Sequence, residues 1–141
     1  MTVFITPDTH TVTDQSNPDY LAEEIFLLTN QERSSRGLKE LSYAYGLQEA
    51  ADTRARECSV LFSHTRPDGT SCHDIVEADY YVTGENLIMA DMPIASAENL
   101  MAEWMGSEGH RYNILLKDFT SMAVGTYRSS GVVYAVQIFI G

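Results

Sequence analysis

Cysteine is nearly absent from this chain. Cys58 and Cys72 are the only two in 141 residues, which excludes the disulfide-dense scaffolds that small secreted domains use in place of a core. Their spacing matches no zinc-ligand motif, so metal binding through these thiols alone is not expected. A single Cys58–Cys72 bridge is expected instead, worth roughly 3 kcal/mol by loop-closure entropy. Basic residues are also scarce, nine against twenty acidic ones, for a formal charge of -11. A field of that sign repels phosphate backbones and anionic lipid heads, which argues against nucleic-acid binding; otherwise an acidic surface serves solubility. No apolar run approaches the ~20 residues of a membrane span. The opening M-T-V-F-I-T-P-D lacks the basic start and long apolar stretch of a secretory leader, which leaves localisation open. G-x-S-x-G, H-E-x-x-H and a Gly-rich phosphate loop are missing too, so the common hydrolase and nucleotide-binding signatures fail.

What is present describes an ordinary globular chain, with 44% apolar and 21% charged residues. Its length suits one domain able to bury a core without metal or disulfide support. Residues 1–16, rich in Thr, Asp and Ser, read as an extended or disordered arm, and residues 17–141 as a single domain. Asn17-Pro18 is a helix start. Leu21, Ile25 and Leu28 then share one face, and the helix is expected to run to about Ser35 before Gly37 ends it. A second helix is expected from about Tyr43 to Ser59, with Leu47, Ala50, Ala51, Arg54, Ala55 and Cys58 at helical spacing. Pro67 and Gly69 mark a turn, and residues 73–78 a short helix. Gly84 to Met89 reads as extended, and Ser96 as the cap of a third helix carrying Ala97, Leu100, Met101 and Trp104. Gly106 and Gly109 are expected to break that helix, leaving one more turn over Tyr112–Leu116.

The last third changes period. Ser121–Tyr127 and Val132–Ile140 are rich in β-branched and aromatic residues and are joined by Arg128-Ser129-Ser130-Gly131. Along the final strand, Val132, Tyr134, Val136, Ile138 and Ile140 face one side. Val133, Ala135, Gln137 and Phe139 face the other. Both sides are mainly apolar, so the sheet is expected to be covered by helices on each face.

Among the four histidines, His10 lies in the arm and His73 beside Cys72, where surface roles suffice. His64 and His110 sit at glycine-punctuated breaks, where loops expose side chains over a scaffold. Glu85 precedes an apolar run, and a partly buried carboxylate needs a partner such as an imidazole. Two readings follow for His64, Glu85 and His110. Either they are hydrogen-bonded ties between loops, or they converge on a cleft where imidazoles and a carboxylate suit a zinc-like ion.

Several stretches carry a resemblance: N-Q-E-R at 30–33, R-A at 54–55, F-S-H-T-R-P-D-G at 62–69, G-E-N-L at 84–87, W-M-G-S-E-G-H-R at 104–111 and Y-A-V-Q at 134–137. Together they resemble the CAP superfamily, which joins cysteine-rich secretory proteins, antigen 5 and plant pathogenesis-related proteins. The likeness is to its bacterial branch of SCP-like extracellular proteins and covers about residues 20–141. It implies an α+β fold: a three-layer α-β-α sandwich with a small antiparallel sheet between helices. It also implies a cleft lined by two histidines and two glutamates, which holds a divalent metal in some members. Carried over by motif, His64 is the first histidine and Glu85 the first glutamate. Ser107 stands where animal and plant members often have glutamate, His110 is the best candidate to complete the cluster, and their H-F-T-Q segment is missing.

The function this implies is diffuse, because relatives bind sterols or fatty acids, act as toxins or immune effectors, or have been called proteases. The leading expectation is a secreted or surface-displayed, non-catalytic module whose cleft of His64, Glu85, Ser107 and His110 takes a small, lipid-like ligand or a protein partner. No cofactor is required in that reading. A second is metal-assisted hydrolysis with His64 and His110 as zinc ligands and Glu85 as base or ligand. A third is a structural or adhesive surface domain. In each, a Cys58–Cys72 bridge would hold His64 over the cleft.

Overall fold

The computed structural model describes residues 18–141, so the 1–16 arm and the Asn17 cap lie outside the described residues. Helix α1 spans Pro18–Ser34. Leu21 and Ile25 lie in the core with Leu28 packed at its edge, as the periodicity predicts. The helix stops where Gly37 turns left-handed at φ 75° and the Leu38 amide reaches back to the Arg33 carbonyl.

The next segment departs from expectation. Helix α2 covers only Gln48–Cys58. Ser42–Tyr43 form the short strand β1, and Tyr45–Leu47 a 3-10 turn. The reason is long-range: the Ser42 and Ala44 amides donate to the Thr120 and Met122 carbonyls, and that pairing removes residues 42–44 from the helix. Strand β2 spans Thr83–Asp91 and helix α3 spans Ala97–Met105, with the Ser96 side chain accepting from the Asn99 amide. Gly106 ends α3, but Gly109 breaks nothing, because helix α4 runs through it from Glu108 to Leu115. Tertiary contacts favour that longer helix: Ile114 is fully buried, and Arg33 donates to the terminal carbonyls of Ile114 and Leu116. Strands β3 (Ser121–Ser129) and β4 (Val132–Ile140) form a hairpin. Ser130 and Gly131 both have positive φ, which gives the two-residue turn that matches strand twist.

The sheet order is β1-β3-β4-β2, with β1 parallel to β3 and the other pairs antiparallel. It is therefore mixed rather than wholly antiparallel. Helices cover both faces. Val133, Ala135 and Phe139 pack with α1, α3 and α4, whereas Val136 and Ile138 pack with Ala51 and Ala55 of α2. The two-sided apolar pattern of β4 is thus a true sandwich pattern. Helix α2 lies very close to the sheet at Gly125, where a Cβ would fall 2.1 Å from the Ala51 carbonyl oxygen. No helix among the described residues is long and apolar enough to cross a membrane.

Candidate functional site

The sandwich brings one charged residue of α2 under the sheet edge. Arg54 occupies the same helical stripe as Ala51, Ala55 and Cys58, and like them it is buried. A guanidinium in that place needs anions. Its Nε donates to Glu85 Oε2 at 2.7 Å and its NH2 to Glu85 Oε1 at 3.1 Å. NH1 donates to Glu57 at 2.8 Å and NH2 to the Ser63 carbonyl at 2.8 Å. Glu85 reaches it because odd-numbered side chains of β2, such as Leu87, point toward α2.

The loop after α2 supplies the histidine. Thr65 bridges Ser71, the Arg66 amide donates to the Thr70 carbonyl, and Gly69 adopts φ 91° beside Pro67, so the expected turn is present. Asp68 accepts from the Thr70 amide and hydroxyl. At the base of this hairpin the Cys72 amide donates to the His64 carbonyl at 2.9 Å. Ser71 and Asp74 then form a capping box on the 3-10 turn Cys72–Ile75; the short helix expected at 73–78 is this single turn. His64 and Cys72 are thereby fixed side by side.

His64 Nδ1 lies 2.8 Å from Glu85 Oε1. The carboxylate side chain is 3% exposed and the histidine 59%. Burial by itself raises the Glu85 carboxyl, but hydrogen bonds from His64 and Arg54 reverse this and hold it below the usual carboxylate range. Glu85 is therefore ionised and accepts only, which makes Nδ1 the donor and leaves Nε2 of a neutral ring with a bare lone pair. Charge continues outward through Glu57, which Arg66 grips at 2.7 Å. The result is an unbroken row of ion pairs from Arg66 through Glu57 and Arg54 to Glu85, which hydrogen-bonds His64 at its inner end.

These groups open on a cleft of about 450 Å³, lined by His64, Thr65, Ser71, Cys72, Glu85 and Asn113 among others. His64 and Glu85 thus meet, whereas His110 and Ser107 do not line this cleft. His110 lies in the first turn of α4, where burial first, and the neighbouring His64 imidazole second, lower its own imidazole. Its backbone carbonyl accepts from Asn86, which also donates to Gln137 and accepts from Asn113. This buried amide network docks α4 on the sheet. Ser107 precedes α4 as its N-cap, without a side-chain capping bond.

The expected bridge is not formed: Cys58 and Cys72 are both free, buried thiols. Cys58 packs into the apolar cluster between α2 and the sheet, while Cys72 faces the carboxylate. Burial pushes the Cys72 thiol up to about 12, helped by the Glu85 charge, and the Cys58 thiol up to about 11. Ligand atoms of His64, Cys72 and Glu85 all lie within 4.8 Å of one another. Nitrogen, sulfur and oxygen donors at that separation suit a zinc-like ion, and His110 is not part of this group. Sequence reasoning missed Arg54 as a site residue and placed Cys72 beside His64 only as a bridge partner, not as a free thiol facing the carboxylate. A charge on the otherwise apolar stripe of α2 was the available signal for Arg54.

A family model, the CAP cysteine-rich secretory protein family, matches residues 26–139. The chain is 34% identical over 124 residues to the uncharacterized protein YkwD of Bacillus subtilis, a match covering 84% of this chain and 46% of that protein. It thus spans about half the length of that relative. An extracellular protein containing an SCP domain from Bacillus anthracis superposes with a TM-score of 0.79 at 24% identity, covering 96% of this chain and 45% of that one. A cysteine-rich secretory protein from Staphylococcus aureus superposes with a TM-score of 0.71 at 23% identity, covering 88% and 39%. Matched across most of its length in sequence and in three-layer architecture, this chain belongs to the CAP cysteine-rich secretory protein family.

Proposed function

We propose that this chain is an extracellular or surface-displayed binding module that holds a small ligand or a partner's side chain in the cleft at His64 without turning it over. One observation carries the reading: an exposed imidazole stands on a carboxylate that is itself locked by a buried guanidinium. Such support costs desolvation and is wasted on a ring that touches nothing. Among the described residues the ring hydrogen-bonds only Glu85, so no serine or thiol is paired with it as a nucleophile. The bare Nε2 would accept from a ligand hydroxyl or amine. Secretion is supported by the extracellular description of the Bacillus anthracis relative.

An amide-detected NMR screen with a fragment mixture tests this. Shift changes should cluster at residues 64, 72, 85 and 113 and vanish in His64→Ala. Changes confined to the separate groove beside Ile88 and Leu100 would refute it. A second reading, a divalent metal held in the same cleft, is favoured by the three converging donor atoms. Bound there, the ion would supply Lewis acidity, with His64 and Glu85 holding it.

A further inference from the structure

We propose that Cys72 is a metal ligand, so that His64, Cys72 and Glu85 form one mixed nitrogen–sulfur–oxygen site for a zinc-like divalent ion. The proposal rests on the metal reading of the cleft and adds the thiolate, which the two-histidine expectation lacks. Three separate elements deliver the donors: the hairpin loop brings His64, the 3-10 turn Cys72, and β2 Glu85. Two of them are tied by backbone, since the Cys72 amide donates to the His64 carbonyl at 2.9 Å. The third is anchored by Arg54 at 2.7 Å. The atoms already lie within 4.8 Å of one another, so binding needs side-chain adjustment but no refolding.

Donor type selects the ion. A thiolate, an imidazole and a single carboxylate oxygen match zinc, whereas magnesium and calcium need six or more oxygens. The cleft of about 450 Å³ leaves room for water in a fourth position. The proton balance is simple: the entering ion displaces the thiol proton to solvent, and the neutral imidazole shifts its proton to Nε2 if Nδ1 binds. Thiolate and carboxylate then offset the two charges of the ion, while Arg54 stays answered by Glu57 at 2.8 Å. His73, whose Nδ1 lies 3.7 Å from the Cys72 sulfur, stands at the outer edge of the same cleft.

The test is a cobalt titration of the full chain, reduced and under inert gas, with zinc added last. One equivalent should give a thiolate-to-cobalt charge-transfer band in the near ultraviolet, and zinc should abolish it. Cys72→Ser should lose the band and bind about 100-fold more weakly, and His64→Ala should weaken binding by about 10- to 100-fold. Cys58→Ser should keep the band. Cobalt binding without a charge-transfer band, or Cys72→Ser within about twofold of wild type, overturns the assignment of Cys72 but leaves a metal cleft standing. Absence of binding at micromolar metal overturns both. If Cys72→Ser does not fold, Cys58→Ser decides the matter, because it leaves Cys72 as the single thiol: a retained charge-transfer band supports the assignment, and cobalt bound without the band overturns it.

Discussion

The buried Arg54–Glu85 pair should show strong thermodynamic coupling. Its side chains are 0% and 3% exposed and joined by two hydrogen bonds, and Arg54 makes two more to Glu57 and Ser63. Charge-assisted bonds contribute about 1.5–3 kcal/mol each, and stripping one partner from a buried pair costs about 3–5 kcal/mol. Arg54→Met should therefore cost about 4 kcal/mol, because Glu85 is left with only the His64 ring and the Cys72 thiol as partners. Glu85→Leu should cost about 3 kcal/mol, since Glu57 still answers the guanidinium. The double variant removes both charges and should lose only about 3 kcal/mol, a coupling of roughly 4 kcal/mol. Urea unfolding followed by fluorescence of the single, fully buried Trp104 measures all four corners of the cycle. Additivity within about 0.5 kcal/mol would refute the reasoning. Acid adds a sign check. Because the Glu85 carboxyl is held below its ordinary 4.5, its contribution is complete above that value and is lost as pH falls through the folded pKa. In Arg54→Met burial dominates, the carboxyl moves up, and acidification should reduce the deficit relative to wild type.

Two further outcomes follow from the same coordinates. The Cys58 and Cys72 thiols, raised from 9.0 to about 11 and about 12, contribute stability that is complete below about pH 9 and is lost as pH rises toward the folded values. By about pH 10 the loss should be on the order of 3 kcal/mol, read against a Cys58→Ala, Cys72→Ser double variant; a bridged pair has no thiol to titrate, and an identical alkaline profile in both proteins would restore the Cys58–Cys72 bridge. Gly125→Ala should force α2 away from β3, given the 2.1 Å approach of its Cβ to Ala51, with a loss of roughly 2–3 kcal/mol; a melting temperature unchanged by calorimetry would contradict that packing.

Helices α1 and α3 were legible because their apolar residues recur at helical spacing and their ends carry Gly37 and Ser96. The two-faced β4 was legible because alternation survives even when both faces are apolar. Residues 42–44 were not, since their fate is set by a strand nearly 80 residues away. Nor was α4, because Gly109 locally reads as a stop while Arg33 and the Asn86–Asn113–Gln137 amides hold the helix from a distance. At the site, loop glycines singled out His64 and His110, and an acid beside an apolar run singled out Glu85. Ser107 was grouped with them by motif; it and His110 stand outside the cleft lining.

From the order of amino acids alone come the layers of this protein, its family likeness and the two residues whose side chains touch in the cleft, because periodicity, turns and motifs are local properties. Only the tertiary structure decided which partners those residues have. A guanidinium on an α2 stripe of alanines and a thiol beyond a hairpin meet the same carboxylate because the sheet, the helix and the loop bury them together. Burial then makes each buried charge depend on the others.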